Sequence, residues 1–141
     1  MNLKIVISDR WTFYTPCDAD GSSELYSFLE TIGSEYEADR AGLLAKLRTA
    51  SCQDQGPQFF NEKICHFVDD IHKIFQIRHR TLRLLMFYSA TERRAVICSS
   101  PFIKRSDKTP SSEIKKARFI QEQYESAVNA DQITILPDEE D

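Results

Sequence analysis

The order of hydrophobic patterns predicts an α+β domain: a strand, a helical hairpin, three consecutive antiparallel strands and a closing helix. Three observations carry this reading. Apolar residues recur at helical spacing in three separate stretches, runs rich in Ile, Leu, Val and Phe lie between the second and third, and turn-forming residues mark the borders. With 141 residues, 41% of them apolar and 28% charged, the chain can bury a real core as one domain. That domain is expected over residues 1–130, with 131–141 as an acidic, mobile tail.

Leu3-Lys4-Ile5-Val6-Ile7-Ser8 reads as a first strand, which Trp11 to Tyr14 extend. The turn chemistry of Asp18 to Ser23 then supplies N-caps for a helix whose stripe is Leu25, Phe28, Leu29 and Ile32, stopped by Gly33. From Ser34, Tyr36, Leu43, Leu44 and Leu47 give a second stripe to about Ala50, weakened locally by Gly42; the two helices should form a hairpin. Ile71 to Arg78, Leu82 to Tyr88 and Arg94 to Ser100 follow as strands, and Pro101 ends the last. Thr109 as N-cap and Pro110 at the first helical position open a third helix, buried along Ile114, Ala117, Ile120, Tyr124, Ala127 and Val128.

Several function classes drop out. The longest apolar stretch, Leu82 to Ala90, contains Arg83 and is far shorter than a membrane span, and the N-terminal segment lacks a signal-peptide core, so a cytoplasmic protein with no membrane role is expected. Cys17, Cys52, Cys65 and Cys98 form no C-x-x-C pair, and the histidines His66, His72 and His79 are not at helical metal spacing. Reduced thiols, no metal and no small-molecule cofactor are the expectation.

Charge is unevenly distributed. Residues 1–65 carry 6 basic and 10 acidic groups, residues 66–127 carry 12 and 7, and residues 128–141 carry 0 and 5. Only the middle block can attract phosphate, while Asp138-Glu139-Glu140-Asp141 reads as a solvated, mobile end.

Within that block, a two-residue turn at His79-Arg80 would pair Arg78 with Thr81 and put Arg78 and Arg83 on one sheet face; a three-residue turn would separate them. On a shared face they could grip a phosphate bidentately, or else form ion pairs with Asp69, Asp70 or Glu92. Lys104, Arg105 and Lys108 stand in a basic loop running into a helix N-terminus, which is either an anion site or a solvated surface. His79 is either a general base near the arginines or an exposed turn residue. Tyr88 and Tyr124 read as core or groove aromatics rather than acids.

The order of Phe75-Gln76-Ile77-Arg78, Leu82-Arg83-Leu84-Leu85-Met86-Phe87-Tyr88, Val96-Ile97-Cys98, Phe102-Ile103-Lys104-Arg105 and Lys108-Thr109-Pro110 before Glu113-Ile114-Lys115-Lys116-Ala117 carries a likeness. It resembles the HigB-like, phage-derived branch of the RelE/ParE toxin superfamily, over roughly Phe67 to Ala127. Gln76 departs from the usual acid before the arginine, Pro101 from a common glycine, and Lys104-Arg105 from Lys-Lys; the acidic tail is also unusual. The resemblance implies a RelE-like fold, with the helical hairpin packed on a curved antiparallel sheet. It also implies a toxin that cleaves messenger RNA on the ribosome by metal-free attack of the 2′-hydroxyl, until an antitoxin, expected to be a helix-turn-helix protein, holds it. Arg78 and Arg83 would then face the developing phosphorane charge and His79 would move a proton, while Lys104, Lys108, Arg105 and Arg80 would hold RNA. The antitoxin would contact the stripe from Ile114 to Val128 or the Lys104 to Lys108 loop. The alternatives are a ParE-like toxin that binds gyrase, or an inactive relative that only pairs with its antitoxin.

Overall fold

A computed structural model of the chain describes residues 1–137. Seven strands, β1 (Asn2–Ser8), β2 (Thr12–Cys17), β3 (Cys65–Asp69), β4 (Ile74–His79), β5 (Leu82–Tyr88), β6 (Ala95–Ile103) and β7 (Thr134–Ile135), form one sheet in the order β3-β4-β5-β6-β2-β1-β7. Three helices, α1 (Glu24–Thr31), α2 (Glu37–Cys52) and α3 (Ser111–Asn129), cover it. The α+β class and the C-terminal helix stand as expected. The sheet is mixed: an antiparallel β3-β4-β5-β6 meander and β1-β2 hairpin are joined by the parallel pairs β2-β6 and β1-β7.

β5 explains the two-layer core. Successive side chains of a strand point to opposite faces. Leu82, Leu84 and Met86 pack with Phe13, Leu25, Leu29, Leu43 and Leu47 beneath α1 and α2. Leu85 joins Ile74, Phe102 and Ala117, and Phe87 joins Leu3, Tyr14, Ile97 and Tyr124, beneath α3. The helical hairpin is secured locally: the Ser23 hydroxyl accepts the Tyr26 N–H at 3.1 Å, Gly33 (φ +110°) breaks the helix, and the Arg40 guanidinium donates back to the Leu29 carbonyl.

Phe87→Ala, at a side chain only 1% exposed, is expected to cost about 3–5 kcal/mol in denaturant unfolding. Phe119→Ala, on the outer side of α3, should stay within about 0.5 kcal/mol. Equal effects would contradict this packing.

Four expectations change. Trp11 to Tyr14 do not prolong β1, because the chain reverses at Asp9-Arg10 and Thr12 starts a second, antiparallel strand. Residues 65–69 form a strand that periodicity missed, a short, half-exposed sheet edge. Pro101 does not end β6: β2 pairs with β6 only as far as Ile97, so no ladder partner on that side needs the missing N–H. The acidic tail does not begin at 131, since the Thr134 and Leu136 N–H groups donate to the Met1 and Leu3 carbonyls and add β7 to the sheet. The Asp138 to Asp141 end lies outside the described residues.

Candidate functional site

The β4-β5 connection is a two-residue turn, placed one position later than expected, at Arg80-Thr81 with Arg80 at φ +54°. Arg78 therefore pairs directly with Arg83, not with Thr81. Both registers preserve parity, so the shared face survives the correction. That face is the one α3 covers, but α3 lies over Leu85 and Phe87 and leaves the arginine end of the hairpin open.

Arg83 is only 5% exposed. Its guanidinium donates to the Arg80 carbonyl at 2.6 Å and the Leu82 carbonyl at 2.9 Å. Neither arginine has a carboxylate partner among the described residues: Asp69 accepts from its own neighbour His72 at 2.9 Å, and Glu92 accepts the Tyr14 hydroxyl at 2.9 Å. Burial, and after it the charge of Arg78, pulls the Arg83 pKa below its ordinary value. Lys46, which donates to the Arg78 carbonyl at 3.0 Å, is lowered by burial and by both arginines. A desolvated guanidinium among like charges lowers its energy most by taking an anion.

The loop after β6 supplies the opposite wall. The Lys104 N–H donates to the Thr81 carbonyl at 2.7 Å, fixing the start of the loop to the hairpin. At its end the Thr109 hydroxyl donates to the Gln76 Oε1 at 2.8 Å. Thr109 is thus not the N-cap; Pro110 occupies that position with no side-chain cap, and α3 starts at Ser111. Between loop and sheet lies an open cleft of about 380 Å³, lined by His66, Gln76, Arg78, Arg83, Lys104, Lys108 and Thr109, with the exposed Asp107 carboxylate 3.9 Å from the Lys104 ammonium. Four of the expected cations converge here.

A family model described as "Phage derived protein Gp49-like (DUF891)" matches residues 37–121. The chain belongs to the Gp49-like family. This is a RelE-like toxin family, associated with the toxins of toxin–antitoxin systems. No curated protein matches the chain. The matched stretch of this Gp49-like chain contains every residue that lines the cleft.

The other expected site residues lie elsewhere. His79 alternates with Arg78 and so points to the α2 side, where a Cβ added at Gly42 would stand 2.0 Å from the His79 Nε2. Burial, then the charges of Lys46 and Arg80, hold this imidazole below its ordinary pKa, and its Nδ1 is buried without a hydrogen-bond partner among the described residues. Arg80 is turned toward α2 and pairs with Asp39 at 3.5 Å. Arg105 is exposed and does not line the cleft. The imidazole that does line it is His66, cross-strand neighbour of Gln76 in the β3-β4 pairing. It was missed together with its strand. Tyr124 (5% exposed, hydrogen-bonded to the Ser89 hydroxyl) is a core aromatic, and the half-buried Tyr88, 4.8 Å from Phe75, is a groove aromatic, both within the expectation.

Among the described residues no three His, Cys, Asp or Glu side chains gather as metal ligands, and no helix is long and apolar enough to cross a membrane.

Proposed function

We propose that this Gp49-like protein is the toxin of a type II pair and cuts messenger RNA on the ribosome, in the cytoplasm. The observation that supports this best is the convergence of Arg78, Arg83, Lys104 and Lys108 on one cleft with His66. The reaction needs no more than these groups. The 2′-hydroxyl attacks the adjacent phosphorus, the bond to the 5′-oxygen breaks, and a 2′,3′-cyclic phosphate and a free 5′-hydroxyl result. His66 accepts the 2′-hydroxyl proton, solvent returns one to the leaving oxygen, Arg83 and Arg78 take up the extra negative charge of the phosphorane, and Lys104 and Lys108 hold the flanking phosphates. His79 has no part in this scheme, since it lies on the other side of the sheet.

The antitoxin, a helix-turn-helix protein in this reading, neutralises the toxin by covering the basic loop. The helical stripe is a poorer contact, because Ala117, Tyr124 and Ala127 are spent on the sheet.

Inducing the protein in cells and probing total RNA tests the proposal. Cut messages with cyclic phosphate ends are expected; intact RNA with DNA damage would assign it to gyrase instead, and neither effect to an inactive relative. In vitro, three or four cationic contacts to a single strand predict a slope of log K against log salt of about −2 to −3, at about −0.7 per contact. A flat salt profile would exclude RNA as the ligand of this cleft.

A further inference from the structure

The edge strand β3 has a second hollow on its far side. His66 and Phe67 border the cationic cleft and also this pocket of about 220 Å³, whose walls are Phe60, Phe67, Phe75 and Tyr88, with Glu62 and Gln58 at the rim. The rings are held in place: Phe67 stands edge-on to Phe75 at 6.1 Å, Phe75 stacks on Tyr88 at 4.8 Å, and Gln58 hydrogen-bonds the Tyr88 side chain. Phe67 remains 42% exposed, with the Lys73 ammonium 5.3 Å from its ring centroid, at a sheet edge whose outer backbone groups have no strand partner among the described residues.

We propose that this pocket receives one unstacked nucleobase of the strand whose phosphates lie in the neighbouring cleft, and that guanine is the preferred base. This rests on the RNA-binding reading above. Single-stranded RNA is recognised by bases splayed onto aromatic side chains and hydrogen-bonded along their edges. The pocket is smaller than the roughly 300–1,000 Å³ of most small-molecule sites, which suits a single ring system. It lies across the edge strand from the phosphate-binding cleft, and the two hollows share His66 and Phe67 of β3, so a strand that turns around this edge can place its base on one side and its phosphates on the other. The exposed Glu62 carboxylate accepts two hydrogen bonds side by side, and only guanine offers two adjacent N–H donors on its pairing edge.

The test uses seven-residue sugar–phosphate strands built without 2′-hydroxyls, so that they cannot be cut, carrying one central G, A, C or U or no base at all. The wild-type protein is expected to bind the guanine strand about 5- to 150-fold tighter than the baseless strand. Phe67→Leu, which keeps apolar bulk on Phe75 but removes the π-face, brings that ratio close to one. Glu62→Gln, an exposed and isosteric change, abolishes the lead of guanine over adenine. Arg83→Ala weakens every strand while preserving the ratio. Equal wild-type binding of based and baseless strands, or a ratio that persists in Phe67→Leu, overturns the pocket while the cleft stands, and points to some other occupant. A guanine lead that persists in Glu62→Gln overturns the base assignment. Failure of all strands to bind at low salt overturns cleft and pocket together.

Discussion

Arg83→Ala is expected to reduce RNA cleavage by about 10² to 10³, the usual loss when one preorganised donor to a developing charge is removed, and to abolish growth arrest. The same change should leave the fold close to wild-type stability, because the hydrogen bonds to the Arg80 and Leu82 carbonyls are lost together with an unpaired buried charge. Arg83 is buried, lies beside a second guanidinium and has no carboxylate partner among the described residues, so its charge opposes folding rather than supporting it. Thermal unfolding of wild type and variant separates the two roles: activity lost with melting temperature kept or raised marks a functional guanidinium. A folded Arg83→Ala variant with full toxicity would sink the mechanism. Arg83→Lys should not restore it, because an ammonium cannot form the two parallel hydrogen bonds of the guanidinium fork.

His66→Ala should lower cleavage by about 10² to 10⁴, the range expected of a positioned proton-transfer group. His79→Ala makes the contrast. Its ring packs on α2 on the far side of the sheet, so it should alter stability and leave the chemical step nearly intact. Single-turnover cleavage of one RNA oligonucleotide by both variants reads this directly. If His79→Ala loses activity while His66→Ala keeps it, the assignment made from the β3-β4 pairing is wrong.

What could be read from the chain followed from how strongly each segment repeats itself. Leu25, Phe28, Leu29 and Ile32 mark α1 without ambiguity, and the apolar run of β5 announces a strand buried on both faces. β3 carries no such signal, because an edge strand of five residues with one exposed phenylalanine has little to alternate. Missing it hid His66, whose place in the cleft depends on pairing with Gln76 and not on any neighbour in sequence. The arginine pair was legible only to within a turn. Arg80 adopts a left-handed backbone that glycine or asparagine would have advertised, so nothing in the residue types fixed the reversal. Thr109 looked like a cap because threonine usually is one; its hydroxyl instead reaches across the cleft to Gln76, a tertiary contact beyond the range of local rules. Gly42 looked like a flaw in α2, and the structure supplies its reason in the imidazole that lies against it.

That contact couples two positions 37 residues apart. Glycine-to-alanine exchange inside a helix is a standard route to a hardier protein, adding about 0.5 to 1 kcal/mol where space allows. Here the added methyl group and the ring cannot share the same volume, so a side chain at position 42 requires the His79 imidazole to shift or to be replaced. The way the arginine hairpin sits against its supporting helix thus ties the residue tolerated at 42 to the one present at 79.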